Sequence, residues 1–144
     1  MTNKHPSLFS PFMLTEKIKL RNRIVMAPMT TWSANPDGTI SEQELELYKR
    51  RSQNVGLVIT GCTYVTPSGI GFTHEFAAYD DRFINSLEKL AAAAQSGGAP
   101  AILQIFHAGN KAIPELVPNY DVISASASSV KSGDFMKRVV QSRE

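Results

Sequence analysis

The chain has 144 residues, of which 42% are hydrophobic and 19% are charged, and its formal net charge is +2. This length and composition predict one globular domain or at most two, and the small charge gives no sign of nucleic acid or an anionic membrane as a partner. No apolar run approaches the roughly 20 residues that a membrane-spanning helix needs, and the single cysteine, Cys62, excludes an intrachain disulfide and a cysteine-built metal site.

The first part of the chain predicts a hairpin followed by a buried strand. The N-terminal residues lead into no apolar signal core, which predicts a cytoplasmic protein. Two short extended segments, residues 12–14 and 18–20, flank a polar break and suit a small β-hairpin. Residues 24–27 are apolar throughout and end at Pro28, which is typical of a parallel strand buried on both faces.

A helix with a defined start comes next. Ser41 and Glu44 fit a capping box, in which Ser41 accepts from the amide of residue 44 and Glu44 reaches back to the amide of Ser41. The helix is predicted to run from there to about Asn54, with Leu45, Leu47 and Tyr48 on its apolar side. Its acidic residues, Glu42, Glu44 and Glu46, are interpreted as a favourable helix start and a solvated face.

The rest of the chain predicts two more strands and one more helix. Residues 57–60 form a second buried strand, and residues 101–106 form a third. Between them, Asp80 or Asp81 can cap a helix that ends at two glycines, residues 97–98. Residues 112–134 favour a loop, and residues 135–144 leave room for no more than two helical turns.

The order strand, helix, strand, helix, strand predicts an α/β fold made of right-handed parallel βαβ units. Ligands bind such folds at the carboxyl ends of the strands. Those ends are residues 27–30, 60–63 and 104–109. Their small residues leave room for a close backbone approach, while Thr30 and Gln104 supply hydrogen-bonding groups. The combination suits a flat, amide-rich ligand.

A purely structural explanation stands beside each candidate residue. Thr30 could be a turn hydroxyl, and Gln104 could serve a structural hydrogen bond. Cys62 fits a small buried hydrophobe, and His107 a hydrogen-bonded structural histidine. Trp32 could simply cover a loop. The three histidines are too scattered along the chain to predict a metal site.

Four sequence segments carry a family resemblance by their order and spacing. They are residues 8–11 (LFSP), 20–30 (LRNRIVMAPMT), 55–61 (VGLVITG) and 103–111 (LQIFHAGNK). Together they resemble the old yellow enzyme family of FMN-dependent oxidoreductases, and within it the bacterial NADH:flavin oxidoreductase or NADH oxidase branch. The resemblance implies FMN as the cofactor and NADH or NADPH as the electron donor.

The resemblance also implies a TIM-type (β/α)8 barrel, which typically needs about 250 residues. This chain supplies about the first three βα units, preceded by the N-terminal β-hairpin. The expected fold is therefore a partial TIM barrel, with residues 1–144 forming the N-terminal part of a single FMN-binding domain.

Five positions match cofactor contacts of the family. Pro28 and Met29 are expected to place backbone against the flavin, and the Thr30 hydroxyl to bond the flavin O4. Cys62 stands where the family usually has alanine or glycine and uses its backbone amide near the ring. Gln104 matches the glutamine whose amide pairs with the pyrimidine edge of the flavin.

Two further positions, Trp32 and Lys111, fall near the substrate side in the same comparison. No catalytic residue is expected within this chain, because the family's substrate-binding histidine pair and its tyrosine proton donor have no match here. The implied reaction is hydride transfer through the flavin to a small molecule, namely an activated alkene, a quinone or oxygen. The alternative is a non-catalytic remnant or interaction module, completed by a partner chain or by self-association.

Overall fold

The computed structural model describes residues 5–126, 128–130 and 138–142 of the chain. A small hairpin opens this part: β1 (Phe12–Met13) pairs antiparallel with β2 (Lys19–Leu20), which confirms the predicted hairpin. The Thr15 hydroxyl closes the turn by accepting from the backbone N–H groups of residues 17 and 18. The Arg23 guanidinium lies over the Phe12 ring, 4.7 Å from its centre.

A parallel sheet flanked by two helices forms the body of the molecule. Its elements, in chain order, are β3 (Val25–Met26), α1 (Glu42–Arg51), β4 (Leu57–Tyr64), β5 (Phe76–Ala77), α2 (Ile84–Gln95) and β6 (Ala101–Phe106). β4 lies in the centre, with β6 along one edge and β3 and then β5 along the other, and every pairing is parallel. The predicted order of strands and helices is confirmed, whereas β5 has no counterpart in the prediction.

The start of α1 shows one half of the predicted capping box. The Ser41 hydroxyl accepts from the backbone N–H of Glu44 at 3.2 Å, as predicted. The reciprocal bond is absent from the described residues, because the Glu44 carboxyl accepts from the Thr31 hydroxyl instead. The helix ends at Arg51 rather than at Asn54. Three basic residues lie in its last turn, where their positive charges interact favourably with the negative end of the helix dipole.

The hydrophobic core lies between the sheet and the two helices. Its buried side chains are Met26, Leu45, Tyr48, Val58, Phe76, Leu90, Ala93 and Ala94. The apolar stripes of both helices therefore face the sheet, as helical spacing requires. Each large apolar side chain buried in this way stabilises the fold by roughly 1.5–3 kcal/mol.

Arg21 fastens the two helix ends together on the side of the sheet where β4 begins. Its Nε donates to the Val55 carbonyl at 2.8 Å, and its Nη1 donates to the Gly97 carbonyl at 2.7 Å. Nη2 donates to the carbonyls of Ser52 and Gln53. One guanidinium thus satisfies backbone carbonyls in the segments that follow both α1 and α2.

The prediction that β3 and β6 are buried on both faces is wrong for the described residues. Val25 in β3 is exposed, and Ile105 in β6 is 70% exposed. Both strands lie at edges of the described sheet, and β6 has only β4 as a neighbour. Burial on both faces depends on flanking strands and helices that these residues do not supply.

A separate small sheet follows in the described C-terminal residues. β9 (Arg138–Ser142) pairs parallel with β7 (Ile123–Ser124) and antiparallel with β8 (Ser128–Val130). The predicted loop is therefore wrong at residues 123–124 and 128–130, and the predicted helical turns are wrong at residues 138–142. Residues 127, 131–137 and 143–144, on which these predictions also fall, lie outside the described residues.

Candidate functional site

Cys62 and Gln104 are brought together across two neighbouring strands. Cys62 in β4 is the register partner of Gln104 in β6. The Cys62 thiol donates to the Gln104 Oε1 across 3.5 Å, and both side chains are partly buried. A weak thiol donor leaves much of the hydrogen-bonding capacity of the Gln104 amide available to a ligand.

An irregularity in β4 sets this pairing. Ile59 pairs with Ile102, but the next pair is Cys62 with Gln104, so β4 carries one extra residue there. The Thr60 hydroxyl accepts from the Gln104 backbone N–H at 3.1 Å inside this bulge. The predicted strand ended at Thr60. The observed strand continues to Tyr64, which places Cys62 within a strand rather than in a loop.

The segment after β3 packs directly against this bulge. A Cβ atom on Gly61 would lie 2.5 Å from the Met29 carbonyl oxygen, so the two backbones touch without an intervening side chain. A cavity of about 10 Å³ lies beside this contact. It is lined by Met29, Thr30, Thr31, Gly61, Cys62, His74, Glu75 and Phe76. Thr30 and Cys62, predicted separately from sequence, thus share one small space.

Pro28 and Met29 present an accessible surface next to these polar groups. Both are exposed, and the Met29 side chain is 50% exposed. An exposed apolar side chain beside a hydroxyl and an amide is the kind of lining that binds a flat heterocycle, with apolar contact to its face and polar contact to its edge.

The two residues expected near a substrate lie further out. Trp32 adopts a φ of 51°, in the left-handed region that bulky residues rarely occupy, and its ring contacts the Phe72 ring edge-on at 5.8 Å. Lys111 ends a short turn after β6, with its side chain exposed. Within the described residues, no hydrogen bond joins either one to Thr30, Cys62 or Gln104.

Glu44 is the main correction to the sequence interpretation. Its side chain is 0% exposed, whereas the sequence placed it on a solvated face. Oε1 accepts from the Thr31 hydroxyl, and Oε2 has no hydrogen-bond partner among the described residues. Burial disfavours the charged form and raises the pKa of Glu44 from 4.5 to about 7.

A second buried carboxyl, Glu75, lines the small cavity. Its Oε2 accepts from the backbone N–H groups of Gly71 and Phe72, at 2.7 and 3.2 Å. Its Oε1 has no partner among the described residues. Burial raises the pKa of Glu75, and the two backbone bonds partly oppose that rise.

Tyr48, one helical turn after Glu44, reaches the same region from α1. Its hydroxyl oxygen accepts from the Gly61 backbone N–H at 2.7 Å. Burial raises the pKa of Tyr48 to about 12, so the hydroxyl stays neutral. Sequence reasoning assigned Tyr48 to the core and missed this bond. The sequence did contain a signal for it. Glu44 lies four residues before Tyr48 and therefore on the same, apolar face of the helix.

The described residues contain neither a metal-ligand cluster nor a helix that could span a membrane. Across residues 5–126 and the two short described segments after them, no three histidine, cysteine, aspartate or glutamate side chains cluster closely enough to hold a metal ion. The helices of this same part of the chain are too short or too polar to cross a membrane.

The Thr30 hydroxyl, the Gln104 amide and the exposed Met29 side chain offer hydrogen-bonding groups beside an apolar surface. A parallel α/β sheet with such groups at the carboxyl ends of its strands is typical of the α/β proteins that bind a small ligand there. Sequence comparison narrows this class. The profile of the NADH:flavin oxidoreductase / NADH oxidase family matches residues 7–143, so the chain belongs to that family. The prediction of FMN as cofactor and NADH as electron donor is confirmed at the level of the family.

Individual relatives agree with this membership. The chain is 46% identical over 126 residues to the "Probable NADH-dependent flavin oxidoreductase YqiG" of Bacillus subtilis (strain 168), covering 88% of this chain and 34% of that protein. The old yellow enzyme from Trypanosoma cruzi has 33% identity and a TM-score of 0.75, over 89% of this chain and 36% of that one.

The fold itself is shared with a more distant structure, morphinone reductase in complex with tetrahydroNAD. That structure has a TM-score of 0.85 at 22% identity, over 96% of this chain and 41% of its own. The chain thus spans between a third and about two-fifths of these relatives, which are longer TIM-barrel enzymes.

Proposed function

We propose that this chain provides one side of the FMN site of an old-yellow-enzyme-type NAD(P)H oxidoreductase, as about the first three βα units of a TIM barrel. The observation that carries the proposal is the contact of Cys62 with Gln104 beside the cavity that Thr30 lines. Thr30, Cys62 and Gln104, which match three cofactor contacts of the family, therefore lie close to one another. FMN, when bound, supplies hydride transfer from NADH or NADPH to an activated alkene, a quinone or oxygen.

Each residue has a distinct task in this proposal. Gln104 offers its amide to the pyrimidine edge of the flavin, and Thr30 offers its hydroxyl to the flavin O4. Pro28 and Met29 lay backbone and apolar surface against the ring, and Cys62 contributes its backbone amide. A hydrogen-bond donor at O4 stabilises negative charge on the reduced ring, so Thr30 would tune the reduction potential.

The catalytic groups of the reaction lie outside this set. None of the five residues is a proton donor suited to the carbonyl substrates of such enzymes. Trp32 and Lys111 would border the substrate side, at a distance from the hydrogen-bonded group. Turnover would therefore require the parts of the barrel that complete the substrate pocket, and this chain would bind and orient the cofactor.

Removing the Gln104 amide should weaken FMN binding. We expect Gln104→Leu, which keeps the side-chain size, to raise the FMN dissociation constant about two- to tenfold, because a buried hydrogen bond contributes roughly 0.5–1.5 kcal/mol. Quenching of FMN fluorescence by the purified chain measures this. Gln53→Leu is the matched control, since the Gln53 side-chain amide donates to the Lys49 carbonyl near the end of α1, away from the proposed flavin contacts. Wild-type chain that leaves FMN fluorescence unchanged would contradict the proposal.

A second candidate function, an interaction module, is favoured by the surface along β6. A groove of about 380 Å³ runs between α2 and β6, lined mainly by apolar side chains. Ile102, Leu103 and Ile105 of β6 are all exposed. An open edge of a parallel sheet beside an apolar groove suits a polypeptide that adds one parallel strand and one amphipathic helix. The partner we propose is a chain carrying the remaining βα units of the barrel.

Co-expression tests this candidate. The chain and a polypeptide spanning the remaining barrel of a family member should co-purify and retain FMN. Ile105→Asp should reduce the recovered complex at least about tenfold, because it buries a charge against an apolar strand. Ile18→Asp, at an exposed isoleucine of the hairpin, is the control and should have little effect. Equal recovery with both variants would rule out this edge as the interface.

A further inference from the structure

The bulge in β4 leaves a backbone N–H that the strand ladder does not use. Four residues of β4, from Ile59 to Cys62, span the same distance as three residues of β6, from Ile102 to Gln104. Such an insertion takes the extra residue out of the ladder and re-aims the side chain that follows it. Here it turns Cys62 to face Gln104, at the cost of an unpaired amide at Gly61. A buried N–H needs an acceptor from elsewhere.

Helix α1 supplies that acceptor. The Tyr48 hydroxyl accepts the Gly61 N–H at 2.7 Å, and the Tyr48 side chain is 1% exposed. The acceptor is therefore a buried protein group and not a water molecule. Its position is fixed by the packing of the Tyr48 ring in the core between the helices and the sheet.

The same helix face fixes the segment after β3. Glu44, one turn before Tyr48, accepts the hydroxyl hydrogen of Thr31, and its side chain is fully buried. Thr31 directly follows Thr30, and Gly61 directly precedes Cys62. Two side chains at i and i+4 thus each hold the immediate neighbour of a proposed flavin contact.

We propose that Glu44 and Tyr48 are positioning residues for the flavin site, a role that rests on the proposed function. They fasten the Thr30 and Cys62 segments to one rigid helix, so that the hydroxyl of Thr30 and the backbone of Cys62 keep a constant separation. Binding sites need their contacts held within a fraction of an ångström, and helices hold positions better than loops do. Neither residue touches the ligand in this proposal.

The test uses Tyr48→Phe in the purified 144-residue chain, with FMN as the probe. Phenylalanine keeps the ring in the core and removes the acceptor of the Gly61 N–H. We expect the FMN dissociation constant to rise at least about tenfold, and the absorption spectrum of bound FMN to change. Hydrogen exchange at the Gly61 amide should accelerate at least about tenfold. The spectrum reports polar contacts at the ring, which a loss of stability alone would not alter.

Two further sets of variants separate positioning from general destabilisation. Ser52→Ala removes a buried hydroxyl after the same helix, where it bonds the Lys49 carbonyl and the Ser96 hydroxyl. It should leave the FMN dissociation constant within twofold and the spectrum unchanged. Glu44→Gln keeps an oxygen acceptor for Thr31 and should bind FMN within threefold of wild type. Glu44→Leu removes the acceptor and should lose at least about tenfold.

The outcomes are distinguishable. Failure of the wild-type chain to bind FMN overturns the proposed function, and the positioning role with it. Wild-type binding combined with unchanged affinity and spectrum in Tyr48→Phe overturns the positioning role alone. The same loss in Ser52→Ala as in Tyr48→Phe also overturns it, because the effect would then follow from stability rather than from the geometry of the site.

Discussion

Replacing Gly61 by alanine is expected to abolish FMN binding, whereas the same replacement at Gly56 is expected to preserve it in the folded molecules. At Gly61 the added Cβ would lie 2.5 Å from the Met29 carbonyl oxygen, and at Gly56 it would lie 2.2 Å from the Asn22 carbonyl oxygen. Both contacts are with backbone, which cannot rotate away as a side chain can. Each substitution should therefore cost roughly 2–3 kcal/mol of folding free energy.

The two glycines differ in what they displace. Gly61 lies between Met29 and Cys62, so relief of its clash must separate the segment after β3 from the bulge of β4 and open the proposed site. Gly56 precedes β4. Relief of its clash moves the segment around Asn22, which contains none of the proposed flavin contacts. Gly56→Ala is thus a control matched in chemistry and in the kind of clash.

Circular dichroism gives the folded fraction of each variant, and FMN titration at low temperature gives the affinity per folded molecule. The expected result is no measurable affinity for Gly61→Ala and an affinity within threefold of wild type for Gly56→Ala. Binding by Gly61→Ala at wild-type strength would show that the contact with Met29 has no part in the site.

The regular elements could be predicted because their signals are local. The cap at Ser41, the helical spacing in α2 and the apolar run of β6 each lie within a few residues of the element they define. These signals predicted the order of strands and helices correctly. They also predicted β6 as Ala101–Phe106, which are the bounds that the structure shows. Of these three elements, only β6 overlaps the four segments that carry the family resemblance.

The extension of β4 could not be predicted, because pairing with distant residues produces it. Thr63 and Tyr64 become part of a strand through β5 and β6, which come later in the chain. Thr63 and Tyr64 favour a strand, but Gly61 interrupts the run and leaves the local signal ambiguous. The bulge that turns Cys62 toward Gln104 depends on the register of two strands and leaves no local sequence signature.

Only part of the candidate site could be proposed from the sequence. The resemblance chose Thr30, Cys62 and Gln104, and the structure brings these three together. The supporting residues Glu44 and Tyr48 were missed because a local reading of α1 assigned each a sufficient role, in a helix cap and in the core. The partner of Glu44 is 13 residues away and comes from a loop. Tertiary contacts of this kind override local interpretation.

The stability of the chain is expected to fall between pH 4.5 and pH 7 because of Glu44. Its pKa in the folded state is raised to about 7, against 4.5 in the unfolded chain. Below pH 4.5 both states hold the proton, so the stabilisation is fully present there. As pH rises toward 7, the unfolded state has lost the proton while the folded state still binds it, and folding becomes less favourable. Above pH 7 both states are charged and the loss is complete.

The size of this effect follows from the shift. At about 1.4 kcal/mol per pKa unit, a rise from 4.5 to about 7 corresponds to about 3 kcal/mol. Glu75 acts in the same direction and Asp37, whose pKa is lowered, in the opposite one. The contributions of Glu75 and Asp37 cancel when wild type is compared with Glu44→Gln. The glutamine side chain is neutral at every pH and keeps the shape of the glutamate.

The quantity to measure is the free energy of unfolding of wild type minus that of Glu44→Gln, obtained by urea denaturation at several values between pH 4 and pH 8. This difference should fall by about 3 kcal/mol across the range. Glu42→Gln, at an exposed position in the same helical turn, removes the same formal charge without the burial and should show no comparable fall. A flat difference for Glu44→Gln would mean that its carboxyl gains a partner or reaches water in the folded protein. The unpaired Oε2 would then not lie in a dry interior.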